Sequence, residues 1–175
     1  MSSETYSYLY EQILEKGALD IYTEGIFMKK NRPSYKITVL CKEKDLDKAF
    51  SLYSDAASKG SLYALACLGF CYCEGKGCVQ DYVKGLALIR KSADKNNPKG
   101  QNILGLCYVR GYGVVQDYAE AVNCFRKSAA QGYARAQNNL GLCYVNGNGI
   151  KQDYVEAVNC FRKSAAQGHE GAQFN

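Results

Sequence analysis

Four cysteines, Cys67, Cys71, Cys73 and Cys78, fall within a dozen residues, and four thiolates are the donor set of a structural zinc site. Their spacing matches no established ligand pattern. One repeat later the same slots hold Ile103, Cys107, Val109 and Val114, so these positions ask for small apolar groups, and a free thiol packs as one. Ser92-Ala93-Asp94-Lys95 has the Ser-x-x-Lys spacing of serine acylating enzymes, but the serine recurs as Ser128 and Ser164 with Gln in place of the lysine. No Ser-Asp-Asn or Lys-Thr-Gly element accompanies it. Gly75-Lys76-Gly77 lacks the third glycine and the preceding strand of a dinucleotide-binding turn. His169 is the one histidine, has no Cys or Asp beside it, and reads as a solvated side chain. The expectation is a chain with no catalytic residue, no metal and no cofactor. Arg90-Lys91, Arg126-Lys127 and Arg162-Lys163 form a different kind of feature, a ladder with rungs ~10 Å apart if the repeats stack. Such a ladder suits phosphates or an acidic chain; the reading preferred here is that cations near a helix C-terminus favour the macrodipole and keep the outer face wet.

The elements that must position these residues follow from a fixed period. Leu68-Gly69, Leu104-Gly105 and Leu140-Gly141 recur every 36 residues, and Cys71-Tyr72, Gly75/Gly77 and Gln80-Asp81-Tyr82 recur in step with them. Each unit reads as two helices. The first runs from about Tyr133 to Val145 in the third unit, with Ala136, Leu140, Cys143 and Tyr144 on one side. Asn-Gly-Asn-Gly breaks it. The second starts at Asp153, with Glu156 completing a capping box, and Asp117 with Glu120 repeats the pattern. Gly60, Gly132 and Gly168, with Asn96 in the middle unit, occupy the left-handed C-cap slot. Gly69, Gly105 and Gly141, facing Gly85, Ala121 and Ala157, let the paired axes close toward ~8 Å.

With 175 residues, 47% hydrophobic and 22% charged, the chain can bury a core. A formal charge of +5 permits acidic partners without marking a nucleic-acid binder. No apolar run approaches the ~20 residues of a membrane helix, and the opening MSSETYSYLYEQ has neither the basic start nor the apolar stretch of an export signal. A cytoplasmic location follows as an expectation, and nine cysteines then read as buried thiols. Cys107 with Cys124, and Cys143 with Cys160, recur with the period, but in an antiparallel hairpin the members of each pair lie at different distances from the turn and miss each other's reach.

The stretch Ala136 to Gly168, AQNNLGLCYVNGNGIKQDYVEAVNCFRKSAAQG, resembles a Sel-one-like repeat (SLR), a relative of the tetratricopeptide repeats. Further matches begin at Ala64 and Gly100, and DLDKAFSLYSDAASKG from Asp45 to Gly60 resembles a second helix alone. The resemblance implies an all-α fold, a right-handed α-solenoid of stacked helix-turn-helix repeats. The expected organisation is a helical or irregular capping segment at 1–44, then a half repeat at 45–60, repeats at 61–96, 97–132 and 133–168, and an incomplete final helix at 169–175. Ser3 to Lys16 reads as a capping amphipathic helix, and Asn31 to Thr38 as irregular because Pro33 lacks an amide.

By the same resemblance the first helices line a groove that binds a protein or peptide. Its expected residues are Tyr63, Phe70, Lys99, Asn102, Leu106, Arg110, Arg135, Asn138 and Asn146. The implied function is a non-catalytic interaction scaffold. The alternatives are an RNA-reading helical solenoid and, by likeness to secreted cysteine-rich members of the family, a penicillin-binding repeat protein. Neither a membrane nor a nucleic acid is the preferred partner. The end at Gln173-Phe174-Asn175 leaves a first helix unfinished, so self-association through that face is expected.

Overall fold

The computed structural model describes residues 18–28, 32–41 and 43–168, with side chains from Leu46 onward. It divides into two units, Met1–Lys48 and Ala49–Asn175.

The first unit contains an antiparallel pair of strands, β1 (Ala18–Met28) and β2 (Arg32–Cys41), with Ile21 opposite Val39 and Thr23 opposite Ile37. This corrects the expectation of a helical or irregular segment there, and of an irregular Asn31 to Thr38. Pro33 does exclude a helix interior, but near the start of an edge strand its missing amide costs no ladder bond, and the β-branched run Ile37-Thr38-Val39 suits a pleated surface. The helix expected over Ser3 to Lys16 and the final helix at 169–175 lie outside the described residues.

Seven helices follow: α1 (Glu43–Ser58), α2 (Leu62–Glu74), α3 (Tyr82–Asp94), α4 (Pro98–Arg110), α5 (Tyr118–Ala130), α6 (Ala134–Asn146) and α7 (Tyr154–Ala166). From α2 onward each helix packs on the next, giving three hairpins stacked as an α-solenoid. The caps are those the residue types favour. Asp117 and Asp153 each accept amides from the second and third residues beyond them, and Asp81 accepts the Lys84 amide. The inter-helix loop is tied back at two points: the Gln80, Gln116 and Gln152 side chains donate to the carbonyls of Cys73, Val109 and Val145, and the Asp81, Asp117 and Asp153 amides donate to those of Tyr72, Tyr108 and Tyr144. The recurring Gln-Asp dipeptide thus closes one helix and opens the next.

Inside each hairpin the second-helix serine acts as a rivet. Ser92, Ser128 and Ser164 are fully buried, and each hydroxyl donates at 2.7 Å to a first-turn carbonyl of its partner helix, Leu62, Pro98 or Ala134.

The glycine seam differs from expectation in one respect. In the first hairpin Gly69 and Gly85 do bring backbones together, since a Cβ on either would sit 2.6 Å from the other's carbonyl oxygen. Over Gly105 and Gly141, however, the space is filled by the rings of Phe125 and Phe161, which such a Cβ would meet at 2.6 Å. Ile89 stands in that slot in the first hairpin; a flat ring reaches over the missing side chain where a shorter residue needs the helices to close.

Candidate functional site

Residues four, three and four apart lie on one side of a helix, so α2 presents Tyr63, Cys67, Phe70 and Glu74 in a line. The period carries that line to Lys99, Ile103, Leu106 and Arg110 on α4, and to Arg135, Asn139, Leu142 and Asn146 on α6. Four side-chain rows therefore run from repeat to repeat across the first helices. They touch. Lys99 Nζ lies 5.1 Å from the centre of the Tyr63 ring, the Arg110 guanidinium 5.8 Å from that of Phe70, and Arg110 Nη1 is 2.5 Å from Glu74 Oε1.

The nine expected groove residues separate into three groups. Tyr63, Arg110, Arg135 and Asn146 are exposed, and Phe70, Lys99 and Leu106 are half-buried on the same face. Asn102 and Asn138 are not surface residues: Asn102 is 2% exposed, its Oδ1 accepts from Asn139 Nδ2 at 2.9 Å, and Asn138 is buried beside the same helices. Each stands one residue round from the exposed line, and Asn102 joins its repeat to the next through Asn139. Arg110, one of the expected groove residues, is ion-paired with Glu74, which also holds Lys76. Burial opposes ionisation of Glu74, but the hydrogen bonds and charges of these two cations outweigh it and hold the carboxyl below its ordinary range.

Sequence reasoning missed Glu74 and Leu142 on this face. The signal was available for both, since each occupies a slot that had been singled out one repeat away. Tyr53 of α1 was missed for a different reason. It falls in the slot of Ile89, Phe125 and Phe161, but its interaction with Cys67 depends on side chains that those repeats do not share.

Burial raises most of the described thiols, whereas the hydrogen bond with Cys107 lowers Cys73. The eight described cysteines are free. Burial pushes Cys124 and Cys143 up to about 11. Cys107 is raised by its hydrogen bond to Cys73 and by burial; both sit in the seam between the first two hairpins. Burial likewise raises Cys67, against the pull of Lys99, Tyr63, Tyr53 and Arg135. Neutral thiols of this kind pack, whereas a nucleophile or metal ligand needs the thiolate. No group of three or more His, Cys, Asp or Glu able to hold a metal ion occurs among the described residues. Ser92 offers no nucleophile to solvent, because its hydroxyl is buried and committed to the Leu62 carbonyl.

A stack of helical hairpins with residue rows continuous across its first helices defines a tetratricopeptide-like repeat protein. More narrowly, the Sel1 repeat family matches residues 61–97, 98–133 and 134–169, and the chain belongs to that family. Among solved structures, it is similar to c5321, a protective antigen of uropathogenic Escherichia coli with an SLR fold, at 36% identity and a TM-score of 0.62, over 70% of this chain and 26% of that one. It is also similar to a Sel1 repeat protein from Oxalobacter formigenes, at 28% identity and a TM-score of 0.67, over 76% of this chain and 52% of that one.

The N-terminal segment has a separate likeness that the sequence reading did not anticipate. The nickel insertion protein family matches residues 1–58. A pyridinium-3,5-bisthiocarboxylic acid mononucleotide nickel insertion protein from Thermotoga petrophila is 39% identical over 62 residues, which is 35% of this chain and 16% of the relative. The chain thus spans about a sixth of that relative's length. No helix among the described residues is long and apolar enough to cross a membrane.

Proposed function

We propose that the solenoid is a non-catalytic docking scaffold that holds a partner protein against the exposed face of α2, α4 and α6. The observation supporting this is the continuity of side-chain rows across three repeats: Tyr63, Lys99 and Arg135 form one row, and Phe70, Leu106 and Leu142 another. A recognition surface that extends in one direction suits an extended segment, and repeat proteins use it so. The test is affinity capture with the native chain and with a Tyr63→Ala/Leu142→Glu variant, read by mass spectrometry. Proteins enriched by the first and lost with the second, at an unchanged circular dichroism spectrum, support the scaffold; an identical set from both removes it.

A further reading concerns the first unit. The match of residues 1–58 to nickel insertion proteins supports a role for this segment in handling nickel or a nickel-bearing nucleotide, with the solenoid bringing it a partner. Titration calorimetry of Ni²⁺ into the full chain tests it: stoichiometric binding is expected, and heats no larger than buffer dilution would sink the idea.

The outgoing face of α7 supplies a third contact. Val158 is 45% exposed, although Leu86 and Val122 in the same slot are 7% and 2% exposed beneath the following repeat. This face is the proposed route of self-association.

A further inference from the structure

Two cations on the first-helix face have no carboxylate of their own. Among the described residues the ion pairs are Lys59–Asp55, Lys76–Glu74 and Arg110–Glu74. Lys99 and Arg135 belong to none of them. Glu74 therefore offsets part of the positive charge of Arg110 and Lys76 where α2 and α4 end, while Lys99 and Arg135 at the first turns of α4 and α6 keep theirs in full.

That positive end is also aromatic and partly dry. Lys99 is half-buried, with its ammonium against the Tyr63 ring. The positive charges of Lys99 and, more weakly, Arg135 both act on the Cys67 thiol of α2. A cation beside ring surface has lost some of its water, and an incoming carboxylate meets less competition from solvent than it would at a fully exposed lysine. Next to this end the row Phe70, Leu106 and Leu142 offers apolar surface, and Leu142 is open enough to be covered.

We infer that this face takes an extended acidic segment of a partner protein, its carboxylates against Lys99 and Arg135 and its apolar side chains over Phe70, Leu106 and Leu142. The inference deepens the docking reading and rests on it. Neighbouring repeats are spaced by about one helix diameter, ~10 Å. A polyproline II-like chain brings every third residue back to the same side after ~9 Å, so acidic residues three apart meet Lys99 and Arg135 in turn. A single-stranded RNA is served less well, because its phosphates need a continuous cationic track, and here two cations give way to an apolar row and then to Arg110, which is already paired with Glu74.

The probe is a fluorescein-labelled peptide, Glu-Leu-Pro-Glu-Leu-Pro-Glu, titrated with the full chain at physiological salt and read by fluorescence anisotropy. Binding is expected, with the dissociation constant rising roughly tenfold or more in Lys99→Gln/Arg135→Gln. In Arg126→Gln/Lys127→Gln, which removes the same charge from α5, it is expected to change less than about twofold. Equal loss in both variants, no effect in either, or no binding to the native chain would each overturn the inference. So would a poly-uridine oligonucleotide that binds the native chain more tightly than the peptide does and loses that binding in Lys99→Gln/Arg135→Gln. Partner capture that depends on Tyr63 and Leu142 but survives Lys99→Gln/Arg135→Gln would keep the scaffold and remove only its acidic specificity.

Discussion

Glu74 and Arg110 occupy the same slot of consecutive repeats and are ion-paired at 2.5 Å across the boundary between them. The Glu74 side chain is 14% exposed and that of Arg110 43%, so solvent screens the pair mainly from the arginine side. A Glu74→Ala/Arg110→Ala double-mutant cycle should give a coupling of about 0.5–1 kcal/mol in urea unfolding. The carboxyl is held below its ordinary value, so its contribution is complete above the unfolded pKa of about 4.5 and disappears as the pH falls through the folded one. Glu74→Gln should flatten the decline in the urea midpoint below that pH. An unchanged decline would mean that other carboxylates account for it.

The second loop glycine belongs to its neighbour's packing as much as to its own turn. A Cβ on Gly149 would lie 2.2 Å from the carbonyl carbon and oxygen of Tyr118 in the preceding repeat, whereas one on Gly132 meets nothing within 4 Å. Both residues have positive φ. Gly132→Ala should therefore cost the left-handed strain alone, about 1 kcal/mol, and Gly149→Ala distinctly more. Equal melting temperatures for the two variants would contradict the stacking contact.

Removing the Ser128 hydroxyl takes the second hydrogen bond from the Pro98 carbonyl, which keeps the one inside its helix. Ser128→Ala should lower stability by about 0.5–1.5 kcal/mol, and Ser164→Ala should do the same through Ala134. Chemical denaturation measures both. A neutral result would show that water reaches the seam.

Filling the seam beside Phe125 should be harmful and correctable. Gly105→Ala places a methyl 2.6 Å from the ring edge and should destabilise by about 1–3 kcal/mol. Pairing it with Phe125→Ile, the arrangement of the first hairpin turned about, should recover less than half of that, because Ile89 works there only with Gly69 and Gly85 facing each other. Full recovery would mean that the helices adjust freely.

Sedimentation velocity over a range of concentrations tests the outgoing face of α7. Concentration-dependent association is expected for the native chain and its loss for Val158→Lys. A native chain that stays monomeric throughout removes this contact.

The solenoid was legible because every local signal agreed with every other. Asp at the second-helix N-cap, Gly after each first helix and apolar residues at helical spacing all recur in step, and a repeated agreement is hard to produce by chance. The strands β1 and β2 were not legible by the same route. One proline was read as a breaker, although in an edge strand it breaks nothing, and a single hairpin has no second copy to confirm its period.

The sequence by itself determined the period, the two helices of each repeat, their caps and the slots that must be small, because these depend on backbone conformations fixed within a few residues. Only the tertiary structure decided which residues of the first helices remain available to a partner. Asn102 turns inward and bonds to Asn139 of the next repeat, Asn138 is buried, Glu74 pairs with Arg110, and Lys99 and Arg135 have no ion pair among the described residues. Burial and pairing are properties of neighbours a whole repeat apart, and a residue's type does not reveal who its neighbour will be.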